Sequence, residues 1–203
     1  MIKAIFFDFD GVLTTHKNGW YSTCLNLSKE TGFDLDRLIR GYRLHSKKLN
    51  LNKTTHTRMW VDFCKCVGKN IGRDLLEKAF LSTPLNKKML VLAGKLKNRY
   101  KLGIITDNNK ERFDLLTEKF KLNDLFDSIT LSAKVNATKN GKIIFQDALK
   151  SLNAKAKESI FIDNAKQNLK VPKKMGFKTV YYDHERNDMA LLLTKLERYG
   201  VKA

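Results

Sequence analysis

Long apolar runs are absent: no stretch of the 203 residues has the 18 or more consecutive apolar side chains that mark a membrane-spanning helix. A leader layout is missing too, because the residues from Ile5 onward already read as a strand, and the chain is expected to be cytoplasmic. Cysteine is scarce. Cys24, Cys64 and Cys66 make an odd total of three, which excludes a disulfide framework. Cys64-Lys65-Cys66 has no second ligand pair at workable spacing, so zinc is not expected. Blocks of like charge are also missing. A net charge of +18 would attract phosphates, nucleic acid or acidic membranes, yet the lysines are spread through every segment and interleaved with acids. A solvated lysine-rich surface is expected, with nucleic acid and membrane unlikely as partners. No internal repeat, low-complexity tract or flexible linker interrupts the chain. With 42% hydrophobic residues it can bury a core as one domain with an insertion, or as one large and one small domain.

What is present begins with Ile5-Phe6-Phe7-Asp8-Phe9-Asp10-Gly11-Val12-Leu13. The apolar run predicts a buried strand whose C-terminal end opens onto chemistry. Alternation along a strand predicts that Asp8 and Asp10 point roughly the same way, crowding two like charges unless a cation or a shared proton intervenes. Gly11 allows a sharp turn. The competing reading of this stretch alone is an acidic cap on a following helix.

Residues 14 to about 86 read as helical throughout. One helix follows Asn18-Gly19, with Tyr21, Leu25, Leu27 and Ser28, and closes at Gly32. A second starts at Asp34 and places Leu35, Leu38, Ile39, Tyr42 and Leu44 on its apolar side. A third follows Thr54-Thr55, with Met59, Trp60, Phe63 and Val67, and a fourth holds Leu75, Leu76, Ala79 and Phe80 before Pro84. Four short amphipathic helices predict a small bundle. From Lys87 onward helices alternate with strands: a helix over 89–96, a strand at 102–105, helix 113–120, strand 129–131, helix 143–152, strand 160–162, helix 169–175, strand 179–182 and helix 189–196. Such alternation predicts an α/β fold with a parallel, Rossmann-like sheet covered on both faces. The helical segment 15–86 is then an insertion after the first strand, and 1–14 with 87–203 form the core domain.

Ligands of open parallel sheets lie beyond the carboxyl ends of the strands. Asp8 and Asp10, Thr106-Asp107-Asn108, and Asp163-Asn164 all fall at such ends. Taken singly, Thr106-Asp107-Asn108 and Asp163-Asn164 could each be an ordinary helix cap.

Together these stretches carry a resemblance. Asp8-Phe9-Asp10-Gly11-Val12, Ile104-Ile105-Thr106-Asp107-Asn108, Lys139 and Ile160-Phe161-Ile162-Asp163-Asn164 resemble, in order, the four motifs of the haloacid dehalogenase superfamily. The resemblance implies a magnesium-dependent phosphatase. Asp8 matches the nucleophile that becomes an aspartyl phosphate, and Asp10 matches the general acid and base. Thr106 and the backbone amide of Asp107 match the phosphate contacts, and Lys139, four residues after Val135, matches the lysine that neutralises nucleophile and phosphate. The metal set implied for Mg2+ is Asp8, Asp10 through its carbonyl, Asp163 and Asn164. Many relatives have a second acid where this chain has Asn164, and proline after the lysine where it has Asn140; the amide lowers the metal site's charge by one. Asn168 falls where relatives frequently place an asparagine.

The acid at Asp10 favours phosphoryl chemistry over carbon–halogen attack, and the insertion resembles the helical cap that selects small phosphorylated metabolites, sugar phosphates or nucleotides. His16, Lys17, Trp20, Tyr21, Arg40 and Arg43 are candidate contacts there, although Trp20, Tyr21 and Trp60 fit bundle core as well. A phosphomutase shares every feature named. The alternative from another class is a non-catalytic protein of this fold that binds nucleic acid through its basic surface.

Overall fold

The computed structural model describes residues 1–202. Five strands, β1 (Ala4–Phe7), β2 (Lys101–Thr106), β3 (Ser128–Leu131), β4 (Ser159–Asp163) and β5 (Lys178–Tyr181), form one sheet in the order β3-β2-β1-β4-β5. Every pairing is parallel, with Phe7 opposite Ile104 on one side and Ile162 on the other. The fold is α/β and Rossmann-like. The chain adds β2 and β3 to one side of β1, then crosses back to add β4 and β5 to the other. That reversal opens a crevice at the carboxyl end of β1, where α/β sheets bind ligands.

Alternation along β1 feeds two cores. Ile5 and Phe7 pack with Leu102, Ile104, Ile160 and Ile162 beneath α5 (Lys87–Lys97), α6 (Lys110–Lys119) and α11 (Met189–Glu197). Ala4 and Phe6 pack with Phe161 beneath α9 (Ile143–Ser151) and α10 (Lys170–Met175). Two single turns, α7 (Leu122–Leu125) and α8 (Ser132–Val135), were not anticipated from the sequence. Their four residues each are too short to show a helical period.

Between β1 and α5 lie α1 (Gly19–Thr31), α2 (Leu35–Asn50), α3 (His56–Val67) and α4 (Asp74–Leu81). Asn18, Asp34 and Thr55 accept bonds from the amides of Tyr21, Arg37 and Arg58, and Gly32 and Gly68 end α1 and α3 at φ +70° and +71°. Such caps stabilise a helix by about 1 kcal/mol each. Leu27, Leu38, Tyr42, Phe63 and Phe80 build a core separate from the two beside the sheet. Leu44, expected on the apolar side of α2, is instead 66% exposed. At the neck of this bundle Thr14 bridges Leu85 in antiparallel fashion, and the Asn86 amide donates to the Leu13 carbonyl at 2.8 Å.

The first strand is shorter than its apolar run. It stops at Phe7, because Gly11 turns at φ +79° and the Thr14 amide reaches back to the Phe9 carbonyl at 3.0 Å. Among the described residues, no helix is long and apolar enough to cross a membrane.

One close approach in the sheet gives a test. A Cβ on Gly103 would lie 2.6 Å from the buried Phe6 ring and 3.0 Å from Ser128 Oγ. Gly103→Ala is therefore expected to destabilise the protein by about 1–3 kcal/mol through overpacking, read as a lower urea midpoint with an unchanged slope.

Candidate active site

Asp8 leaves β1 at its carboxyl end, held by its own amide bond to the Ile162 carbonyl at 2.8 Å. Its Oδ1 accepts from the Phe9 amide at 2.7 Å, and its Oδ2 meets Lys139 Nζ at 2.6 Å. The same ammonium lies 2.8 Å from Asp163 Oδ2, at the end of the neighbouring β4. Lys139 arrives on the loop after α8, where its amide donates to Asp107 Oδ1 at 3.0 Å. Asp163 is fixed in turn by the Ala165 amide and by Asn168 Nδ2. Asp8, Lys139 and Asp163 are buried, Lys139 to 2% exposure and Asp163 to 0%.

Three carboxylates around one ammonium leave the cluster short of positive charge. Burial, reinforced by Asp163, pushes the Asp8 carboxyl well above its usual range, against the opposing pull of Lys139. Burial raises Asp107 as well. Burial works against the Lys139 ammonium, but Asp163, Asp8 and Asp107 together outweigh it and raise its pKa.

This deficit is the reason the residues fit a hard cation. The available donors are oxygens: the Asp8 and Asp163 carboxylates, the Asp10 carbonyl and the Asn164 amide oxygen, the kind of set that suits magnesium. Among the described residues no three His, Cys, Asp or Glu side chains converge as a metal cluster, so the carbonyl and amide are needed to complete it. Asn164 lies against the turn after Asp8: a Cβ on Gly11 would come within 2.1 Å of its Nδ2, which also donates to the Lys17 carbonyl at 3.0 Å.

Asp10 departs from the strand-alternation expectation. It sits in the turn, with φ −72° and ψ 127°, and its carboxylate pairs with Arg112 while that of Asp8 pairs with Lys139. The Asp10 oxygens each accept from Arg112, Oδ1 from one nitrogen and Oδ2 from the other, both at 2.8 Å, while Asn108 Nδ2 adds a third bond at 2.8 Å. Arg112 is 1% exposed and also donates to Thr83 Oγ1 at 3.2 Å. Gly19 closes over the pair, since a Cβ there would lie 2.4 Å from Arg112 and 2.8 Å from Asp10.

The sequence reading missed Arg112. The available signal was its position one helical turn before Leu116 on the buried face of α6, where an arginine requires a partner.

The cavity over these strand ends measures about 260 Å³. Its floor is Asp8, Asp10, Thr106, Asp107, Asn108, Lys139 and Asn164, so every site residue expected from the sequence except Asp163 lines it; Asp163 lies beneath, bonded to Lys139. The bundle supplies Lys17, Asn18, Trp20, Tyr42, Ser46 and Asn50. Of the expected bundle contacts, Lys17 and Trp20 line the cavity. Arg43 instead stacks over Trp20 at 5.3 Å, and Trp60 is bundle core. Tyr42, Ser46 and Asn50 were not singled out. Removing the Arg112 charge would strand a buried carboxylate: Arg112→Met is expected to cost about 3–5 kcal/mol in urea unfolding, and Asp10→Asn in the same background to restore part of that loss.

Comparisons with known proteins give the family and the fold. The profile of the haloacid dehalogenase-like hydrolases matches residues 5–182. Bifunctional epoxide hydrolase 2 of Rattus norvegicus is 28% identical over 97% of the chain, and glyceraldehyde 3-phosphate phosphatase of Pyrococcus abyssi is 30% identical over 42% of it. The chain spans well under half of these curated relatives, 38% and 36% of their lengths. Among solved structures, a HAD family enzyme of Bacteroides thetaiotaomicron, a mutant complexed with magnesium and inorganic phosphate, superposes with a TM-score of 0.76 at 22% identity, covering 95% of this chain and 99% of that one. With the profile running from β1 through the end of the sheet, the chain belongs to the haloacid dehalogenase-like hydrolases.

Proposed function

We propose that this hydrolase is a magnesium-dependent phosphatase for a small phosphorylated metabolite, with Asp8 as nucleophile and the bundle, residues 15–86, as its cap. The observation that carries this reading is Lys139, bonded to both Asp8 and Asp163 at the floor of a cavity that also exposes Thr106 and Asp10. A phosphoryl group seated there has an ammonium, a hydroxyl and the Asp107 amide for its oxygens. The phosphatase among the relatives and the magnesium and phosphate bound by the structural neighbour support the same chemistry. When bound, magnesium supplies the charge that lets an anionic nucleophile approach an anionic ester.

Asp8 attacks phosphorus as the bond to the leaving oxygen breaks, and Asp10 gives that oxygen a proton. The second half reverses the proton's direction. Asp10, as carboxylate, takes a proton from water, which attacks the aspartyl phosphate, releases inorganic phosphate and restores Asp8. Arg112 and Asn108 hold Asp10 at the cavity wall between these steps.

The test is a colorimetric assay on p-nitrophenyl phosphate and on an alkyl phosphate. Turnover is expected only with magnesium, lost on chelation and restored on re-addition; Asp8→Asn should lower it by at least about a thousandfold. Asp10→Asn should cost roughly 10²–10⁴-fold on the alkyl ester and less on the nitrophenyl ester, whose leaving group departs without a proton. Undiminished activity in Asp8→Asn would overturn the assignment.

A further inference from the structure

The α2 face of the cavity has a hydrogen-bonding polarity that none of its residue types dictates. Tyr42, Ser46 and Asn50 lie four residues apart along α2, on one face of the helix, and all three line the cavity. In each, a donor is already spent on a protein group. The Ser46 hydroxyl donates to the Arg43 carbonyl at 3.1 Å, and Asn50 Nδ2 donates to the Asp107 carbonyl at 3.2 Å.

For Tyr42 the polarity is set from outside the cavity. Its hydroxyl lies 2.8 Å from His56 Nε2, and His56 Nδ1 bonds to Glu111 Oε2 across the boundary between bundle and sheet domain. His56 is 0% exposed, walled by the Phe80 and Tyr42 rings. The bond from His56, with Arg73 nearby, holds the Glu111 carboxyl below its ordinary range, so it is an ionised group that only accepts. His56 Nδ1 must then carry a hydrogen. In the neutral ring Nε2 is left as an acceptor, Tyr42 donates its one O–H inward, and its oxygen turns lone pairs to the cavity.

We propose that Tyr42 and Ser46, with the Asn50 amide oxygen, form an acceptor wall that selects phosphoesters whose leaving group offers hydroxyl donors, a polyol or sugar, over those offering a bare alkyl chain, with Glu111 acting through His56 as the positioning residue. This rests on the phosphatase reading and narrows its substrate class. The cavity's size agrees: at about 260 Å³ it falls below the ~300 Å³ lower end of pockets that take drug-sized ligands. A site built to accept from a substrate hydroxyl rejects an analogue lacking it, because the buried acceptors are then left unpaired.

Two measurements test it. In ¹⁵N-histidine-labelled wild-type protein, with His56 assigned by its loss in His56→Gln, NMR is expected to report Nδ1 protonated and Nε2 bare at neutral pH; a protonated Nε2 overturns the proposal. In steady-state kinetics, wild-type kcat/KM for glycerol 3-phosphate should exceed that for propyl phosphate by at least tenfold. That ratio should fall toward one in Tyr42→Phe, and fall in Glu111→Ala, which touches no substrate. A wild-type ratio near one, or an unchanged ratio in Tyr42→Phe, overturns the acceptor wall alone while p-nitrophenyl phosphate is still hydrolysed. No turnover of any ester, that one included, overturns the phosphatase reading and the wall together.

Discussion

Lys139 Nζ lies between carboxylates that two neighbouring strands bring to one spot, and without its charge Asp8 and Asp163 would face each other, largely buried, with no counter-charge between them. The meeting follows from topology: β1 and β4 pair in register, so their last residues end side by side. Taking such charges out of water costs several kcal/mol per ion, of order, unless partners repay it. The repayment here is incomplete by design of the charge count. Asp107 fixes the Lys139 backbone and adds a further acid, and burial drives both Asp8 and Asp107 upward. Asn164 then has a physical sense: another acid beside Gly11 would deepen the cluster's deficit of positive charge, whereas an amide keeps an oxygen donor without the charge. A weaker electrostatic draw on the cation accompanies that gain.

The second ion pair joins the bundle to the sheet. Arg112 belongs to α6 and Asp10 to the turn after β1, but Thr83 before the neck and Gly19 at the start of α1 both press on the pair. Any movement of α1 is therefore felt at the proposed acid and base, and any loss of the pair loosens the neck. Glu111, the residue before Arg112, makes the other crossing through His56. Two consecutive residues of one helix thus serve the floor and the roof of the same cavity.

Much of this was legible in the sequence because it depends on local rules. Asn18, Asp34 and Thr55 cap their helices, Gly32 and Gly68 end two of them, and the alternation after Lys87 gave the parallel sheet. The strand-end positions of Asp8, Thr106 and Asp163 follow from the same patterns. What was not legible depends on contacts distant in sequence. Asp10 and Arg112 are 102 residues apart, and His56 and Glu111 are 55 apart; no periodicity pairs them. Leu44 misled for a related reason, since helical spacing marks a face but not where a neighbouring helix stops covering it. Trp20 was legible as a candidate contact that fitted bundle core as well, and which of the two it is depends on how α1 lies across the sheet.

The phosphate contacts of the floor and the α2 face of the cavity differ in what they offer, and this asymmetry joins the site to the proposed specificity. The floor presents an ammonium, a hydroxyl and the amide at the end of β2, all able to donate to anionic oxygens. The α2 wall, with Tyr42 donating to His56 as proposed, presents the Tyr42 and Ser46 oxygens with their hydrogens engaged elsewhere, and the Asn50 amide with one of its two N–H groups engaged. A phosphate monoester of a polyol has the complementary pattern, acceptor-only at one end and rich in donors at the other, so it fits in one orientation and places its bridging oxygen toward Asp10. An ester with a bare alkyl leaving group lacks that complementarity, because it leaves the α2 oxygens without donors. Orientation and selectivity then come from the same few hydrogen bonds, fixed at Tyr42 by a carboxylate that never meets the substrate.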